Sequence, residues 1–456
     1  MSKSASAKWP KVKLGNYLSV LTDYHANGSY EKLKANVELL KTPNYAVMIR
    51  TTNFEKADFH DDLRFITKPA YEFLHKSKVK PSDILMNKIA SAGNIYCMPD
   101  LHCPVSLGMN LFLLRTKEEY TNQRYIYYNL KANESYIKQF AIGTAATTIT
   151  KESVRNLEIL LPPLDIQHKI AAILSAYDNL IENNTRRIAI LEEMAQSLYR
   201  EWFVHFRFPG HEKIRMVESE LGLIPEGWEV KTLGDWGTTI TGKTPSKLVP
   251  ENFNEEYMPF IKTPDMHNNI FCVQTEEYLS RRGVLSQKNK TIPPNSLCVS
   301  CIGTAGVVSI TSVQAQTNQQ INSIVLNDEF NRELLYFVLI DLKETINQYG
   351  SNGATMVNLN KGKFEALKVI FPDKSIVVDF HKLTNSMFEE IRSFQMKNLN
   401  LRRTRDLLLP KLISGEVDVE GLEIETGEEM SVAVESLEPA RVEEIVLVGE
   451  QGTLWG

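Results

Sequence analysis

Two long stretches of the chain carry apolar residues at three-four spacing, whereas the sequence around them breaks into short β-branched runs and turns. After Pro162-Pro163, the residues Ile170, Ile173, Tyr177, Leu180, Leu191, Leu198 and Trp202 fall on one helical face. That is the stripe of a helix packed on another helix. Pro163 suits the first helical turn and Asp165 the positive end of the helix. After Pro372, a second stripe holds Ile376, Phe380, Leu383, Met387, Ile391, Phe394, Leu401, Leu408 and Leu412. At about 35–45 residues each, both exceed the roughly 8–20 of an ordinary globular helix. Pairing them within the chain buries both stripes at about 25 cal/mol per Å², which predicts a coiled-coil-like spacer.

The rest of the chain contains itself twice. Trp9, Leu14 and Gly15 recur as Trp228, Leu233 and Gly234. Pro81, Ile84, Ile89, Ala92 and Gly93 are answered by Pro294, Leu297, Ile302, Ala305 and Gly306, and Gly143, Ile149, Lys151, Val154, Leu157 and Pro162 by Gly353, Leu359, Lys361, Phe364, Leu367 and Pro372. The offset falls slowly from 219 through 213 to 210, a domain duplication and not a solenoid, whose repeats run to about 20–50 residues. Runs such as Tyr45–Arg50, Leu111–Arg115 and Ser323–Leu326 predict α/β (α+β) globules. The expected order is a globular domain at 1–161, a long helix at 162–206, a linker at 207–227, a second globule at 228–371, a second long helix at 372–414 and a tail at 415–456, with pseudo-two-fold symmetry.

Composition adds limits. Hydrophobic residues make up 43% and charged residues 23% of 456, a globular balance that excludes a wholly disordered chain. No apolar run approaches the ~20 residues needed to cross a bilayer, so no membrane association is expected. Five cysteines are too few and odd in number for a disulfide framework, which points to reduced thiols in a cytoplasm. Residues 416–456 hold twelve acids against Arg441 alone, a net charge of -11, so the preceding 415 residues, with 50 bases and 44 acids, carry +6. Such a body admits a polyanion partner. The tail is expected to be mobile or weakly docked, with an edge strand at Val442–Val448.

Several motifs imitate chemistry. Gly237–Thr244 fits the phosphate-loop pattern G-x-x-x-x-G-K-[ST], but Pro245 and Pro250 follow where a helix must open on the phosphates. Cys298-Val-Ser-Cys301 lacks the second ligand pair a zinc site requires, and its first-copy counterparts are Leu85 and Lys88. Asp100, His102 and Cys103 have no match in the second copy, and a nuclease-like set of Asp265, Asp341 and Lys343 spans too much sequence. The N-P-P-aromatic and D-P-P-aromatic tetrapeptides of amino-methyltransferases, the dinucleotide glycine fingerprint and H-E-x-x-H are all absent. No catalytic or metal-binding residue is therefore assigned.

Leu160-Leu-Pro-Pro-Leu-Asp-Ile-Gln-His-Lys-Ile170, Leu174–Asn184, Leu191–Phe206, Pro225-Glu-Gly-Trp-Glu-Val, Gly350–Lys361 and Leu407–Glu416 together resemble the specificity subunit of type I restriction-modification enzymes, from Trp9 to Val419. Two departures are Pro372-Asp373-Lys374, where the family often has Pro-Pro-Leu, and the acidic tail. The resemblance implies two target-recognition domains, each reading part of a split double-stranded DNA sequence, held apart by two antiparallel helices. It also implies two methylation subunits using S-adenosylmethionine and ATP-driven restriction subunits as partners. S-adenosylmethionine, ATP and Mg²⁺ then belong to those partners, and this chain holds no cofactor.

Base readout needs side chains that reach base edges, arginine or lysine for guanine and asparagine or glutamine for adenine. Equivalent segments nominate Arg50, Thr51 and Asn53 against Lys262, Thr263 and Asp265, and Lys88, Ser91 and Asn94 against Ser300 and Thr304. Since the two sets differ, the half-sites should differ. Two competing readings are a nucleotide-driven enzyme built on Gly237–Thr244 and a DNA-free scaffold.

Overall fold

The computed structural model describes residues 8–143, 147–267, 269–351 and 357–424. Gly353 and the expected strand at Val442–Val448 lie outside them. The described residues up to Ala176 and from Arg405 onward form one compact unit, and Tyr177–Thr404 form a second.

The first unit contains strands β1 (Lys11–Lys13), β2 (Leu18–Asp23), β3 (Ala46–Ile49), β4 (Phe65–Ile66), β5 (Lys78–Val79), β6 (Ile84–Asn87), β7 (Ile95–Cys97), β8 (Val105–Leu107), β9 (Leu111–Thr116) and β10 (Glu158–Leu160). They make sheets ordered β2-β9-β6-β7 and β4-β3-β8-β5, with β1 paired to β10. The two-residue period of β6 sends Ile84 and Met86 into a core with Phe112, Leu114, Tyr125 and Ile126, while Leu85 packs with Val47, Ile49 and Leu107 of the other sheet. Both faces of this strand are covered, which is why it reads as a continuous apolar run.

The second unit contains β11 (Met216–Ser219), β12 (Gly222–Pro225), β13 (Glu229–Thr232), β14 (Gly237–Thr241), β15 (Met258–Ile261), β16 (Phe271–Cys272), β17 (Glu277–Leu279), β18 (Thr291–Ile292), β19 (Leu297–Ser300), β20 (Val308–Thr311), β21 (Ala315–Thr317), β22 (Ile321–Leu326) and β23 (Lys368–Phe371). Its sheets run β14-β22-β19-β20-β16 and β17-β15-β21-β18, with β13 on β23. Strand for strand this repeats the first unit, with β16 added at one edge. The segment 207–227, expected as a linker, instead carries the β11–β12 hairpin, and the buried Phe208 stacks on Trp228 at 5.1 Å between ring centroids.

The long helices run Leu164–Tyr199, followed by a π-helical turn at Arg200–Val204, and Lys374–Ser414. Each unit contains a part of both. In the first, Ile166, Ile170 and Leu174 share a core with Leu412 and Ile413, against which Ile173 and Leu408 pack. In the second, Asn184 meets Asn398, Arg187 lies over Phe394, and Trp202 and Phe203 pack on Phe380. Residue numbers rise along one helix as they fall along the other, so the pairing is antiparallel there. Two expected seam residues are corrected: Leu180 and Leu383 are exposed, and their neighbours Ile181 and Thr384 are buried in their place. The buried face of the second helix follows Val377, Phe380, Thr384, Phe388, Ile391, Phe394, Gln395 and Asn398, at three-four spacing but with polar residues inside the apolar stripe. Phe380 and Ile391 also belong to the core of the second globule, with Leu191, Leu198 and Met387 packed against that core. Tyr177 and Leu401 are half-buried.

The start of the acidic tail is docked in the first unit. Val419 is buried, and Lys8 bridges Asp418 at 3.3 Å and Glu420 at 2.9 Å.

Candidate nucleic-acid interface

In each unit, three strand ends feed one continuous set of loops. After β3 the chain turns at Arg50 into a short helix, Thr51–Glu55, because the Asn53 side chain accepts from the Arg50 amide at 3.0 Å. After β15, Asp265 accepts from the Lys262 amide at 2.8 Å and opens the helix Thr263–Met266. Next to this turn, the Gly108 amide donates to Ile49 O at 2.8 Å, as the Asn318 amide does to Ile261 O at 3.1 Å. The loop after β6 is fixed by bonds from Lys88 N to Asn110 O, from Ile149 N to Lys88 O and from Gly93 N to Asn87 O. The loop after β19 repeats all three, from Cys301 N to Gln320 O, from Leu359 N to Cys301 O and from Gly306 N to Ser300 O. Gly93 and Gly306 both have positive φ, 89° and 80°, which explains their recurrence.

The framework is therefore duplicated while the side chains it presents are not. Arg50 pairs with Asp62 at 3.0 Å, and Lys262 with Glu277 at 2.8 Å. Hydrogen bonds from Arg50 and Arg64 hold the Asp62 carboxyl below its ordinary range. Thr51 Oγ1 reaches Asn87 Oδ1 at 3.4 Å, Ser91 donates to Glu55 at 3.2 Å, and Asn94 Nδ2 donates to the Tyr96 hydroxyl at 3.4 Å. Lys88 pairs with Asp23 at 3.0 Å, and Thr304 is exposed.

Three nominated readers are corrected to framework residues. Asn53 and Asp265 spend their side chains on the turns just described. Ser300 is buried, donates to Thr304 O at 2.7 Å and accepts from Val307 N at 2.9 Å, so its hydroxyl has no route to a base edge. Thr263 is buried as well. Several buried polar atoms without a protein partner collect in these segments, namely Arg50 Nε, Asn87 Nδ2, Asn94 Oδ1, Thr263 Oγ1 and Glu277 Oε2. Sequence reasoning missed the third loop of each set. Asn110 and Gln319 are exposed there and Gln320 is half-buried, amides of the kind that suit adenine. The signal was their repeat at the offset of 210.

The imitation motifs resolve as packing. Gly237–Thr241 is itself a strand, and a Cβ on Gly242 would lie 2.1 Å from Asn318 O and 2.2 Å from Thr317 Oγ1. The amides of Gly242 and Lys243 donate to Ile321 O and Thr317 O, so they are already committed where a phosphate loop would offer them to a ligand. Cys298 and Cys301 are buried, with Cys298 3.5 Å from Ser323 Oγ. Burial pushes their thiols up to about 12 and about 11, away from the thiolate that binds metal. His102 and Asp100 pair on an exposed turn at 3.4 Å, and Asp341 accepts from Tyr199 at 2.8 Å. Among the described residues no group of three or more His, Cys, Asp or Glu side chains is placed to hold a metal ion, and no helix is long and apolar enough to cross a membrane.

Comparison with known proteins agrees with this architecture. The type I restriction modification DNA specificity domain matches residues 9–193 and 225–392. The HindI specificity subunit of Haemophilus influenzae is 33% identical over 405 residues, covering 75% of this chain and 88% of that protein. The MjaIX specificity subunit of Methanocaldococcus jannaschii is 28% identical over 305 residues, covering 65% and 70%. A crystal structure of a type I restriction-modification S subunit from M. genitalium shares the fold, with a TM-score of 0.56 at 14% identity over 91% of this chain and 98% of that one. With two copies of the domain matched and one relative aligned over most of its length, the chain belongs to the family of type I restriction-modification specificity subunits.

Proposed function

We propose that this chain reads a bipartite, asymmetric double-stranded DNA target, one half-site per globular domain, and performs no chemistry itself. The observation that carries the reading is the repeated loop framework with unlike side chains at matched positions: Arg50 against Lys262, Ser91 against Thr304, Asn110 against Gln320. A common framework lays each domain on the duplex in the same way, and different groups at the base edges give each its own sequence, at about 1–3 kcal/mol per good bidentate contact. The long helices set the unread spacer and dock two methylation subunits, and restriction subunits join that assembly. S-adenosylmethionine, ATP and Mg²⁺ act in those partners. Two observations support a non-catalytic chain: the buried glycine packing of Gly237–Thr244 and the use of Asp265 and Asp341 in internal bonds.

Exchanging residues 9–161 for the equivalent domain of another family member tests this. In cells that also make the methylation subunits, one half of the methylated sequence should change and the other should stay. Change in both halves would refute independent reading. The competing nucleotide reading would be supported by ATP turnover or nucleotide binding by the chain alone.

A further inference from the structure

At the base of the loops of the first domain, Asp23 ends β2 with its side chain buried. Its two carboxylate oxygens take one lysine each, Lys88 Nζ at 3.0 Å and Lys151 Nζ at 2.8 Å. The lysines come from the two segments that border the candidate interface, the loop after β6 and the first residue of the helix Lys151–Asn156. Burial by itself would raise the Asp23 carboxyl, but the hydrogen bonds from Lys151 and Lys88 outweigh it and hold it below its ordinary range.

One carboxylate needs one cation, and here there are two. Their side chains are 21% and 31% exposed. Each ammonium has three donors and gives one to Asp23, so two cations stand on one carboxylate in partly exposed side chains, with Lys88 also over the Phe112 ring at 5.6 Å. The fold itself does not demand ions at this place. In the second domain the register pairs Thr241 with Asn322 as it pairs Asp23 with Phe112, and Cys301 stands where Lys88 stands. There the bonds are neutral, Thr241 Oγ1 to Asn322 Oδ1 at 2.6 Å and Asn322 Nδ2 to Cys301 Sγ at 3.3 Å. Lys361, the counterpart of Lys151, lies 3.5 Å from Glu365.

We propose that Lys88 and Lys151, held in place by Asp23, seat a backbone phosphate of the DNA bound by the first domain, a contact with no equivalent in the second. This rests on the DNA-reading function proposed above and moves Lys88 from base reading to positioning. A phosphate contact anchors the duplex without selecting its sequence, so its signature is electrostatic. Each neutralised phosphate contributes about -0.9 to the slope of log affinity against log salt.

The test uses the chain assembled with its methylation subunits, a fluorescent duplex carrying the target, and binding curves between 50 and 200 mM salt. Lys88→Gln and Lys151→Gln should each bind target and non-target duplex more weakly and flatten the slope by about one, which makes the affinity loss across that range about three- to fourfold smaller. Lys151→Arg should keep the parental slope, and the methylated sequence should be the same in all. Slopes unchanged in both glutamine variants would overturn the phosphate seat, and so would a changed methylated sequence. If either variant fails to assemble, the other decides. An unsubstituted assembly without salt-sensitive duplex binding would overturn the parent reading, whereas normal parental binding with unaltered variant slopes overturns this proposal alone.

Discussion

Arg332 is the group on which the second globule should be most sensitive. It opens the helix Arg332–Asp341, is buried, and donates to Glu333 at 2.6 Å, Glu389 at 3.0 Å, Asn385 at 2.8 Å and Asn295 at 3.0 Å. Glu333 is 0% exposed and has His381 as its second partner at 2.6 Å. Since Glu389, Asn385 and His381 all belong to the second long helix, these bonds lock that helix onto the globule. Arg332→Met keeps the apolar stem but takes the arginine from the fully buried Glu333, while the more exposed Glu389 keeps Arg392. Removing one partner of a buried pair costs about 3–5 kcal/mol, which for a unit of this size is a fall of roughly 10 °C in the unfolding midpoint. Replacing both charges, with Arg332→Met and Glu333→Leu together, should recover a large part of that loss, because no uncompensated charge then remains at Glu333. Calorimetric and urea unfolding of the full chain measures both. Additive losses in the double variant, or a loss below about 1 kcal/mol in Arg332→Met, would refute the reasoning. The first unit makes the matching joint without charge, through buried Gln167, which accepts from Asn122 N at 2.9 Å and donates to Pro162 O at 2.9 Å.

Gly242→Ala should destabilise or abolish folding of the second domain, because the added Cβ strikes the backbone at Thr317 and Asn318, while Lys243→Ala, exposed, should leave the unfolding midpoint unchanged within about 1 °C; equal effects in melting experiments would contradict the packing account. Cys298→Ala with Cys301→Ala should cost about 1–3 kcal/mol through lost packing and release no metal, and loss of stoichiometric zinc by elemental analysis would prove this wrong. Inserting one heptad into each long helix adds about 10 Å at 1.5 Å per residue, so mapped methylation sites should keep both half-sites and gain about three base pairs of spacer; an active enzyme with the original spacer would refute the ruler.

The duplication was legible in the sequence because Gly93 and Gly306 are tied to a backbone conformation, and Ile84 and Leu297 to a strand covered on both faces. The long helices were legible from their stripe, but a stripe does not show which of two adjacent apolar positions faces the partner. That choice depends on the packed surface, and it put Ile181 inside and Leu180 outside. The β11–β12 hairpin was hidden because its strands are short and it buries Ile224 while leaving Met216, Leu221 and Leu223 exposed, which gives no clean two-residue alternation. Candidate readers were found as segments and not as side chains. Asn53, Asp265 and Ser300 look like recognition chemistry in sequence, and only the backbone amides and carbonyls around them reveal that they hold the loops.

The central claim is that two domains of one framework read two unlike half-sites. Mapping every methylated base in DNA from cells that make this chain with its methylation subunits tests it most directly. The account predicts one motif made of two different short sequences separated by an unread spacer of constant length. A continuous motif, or two identical half-sites, would contradict it.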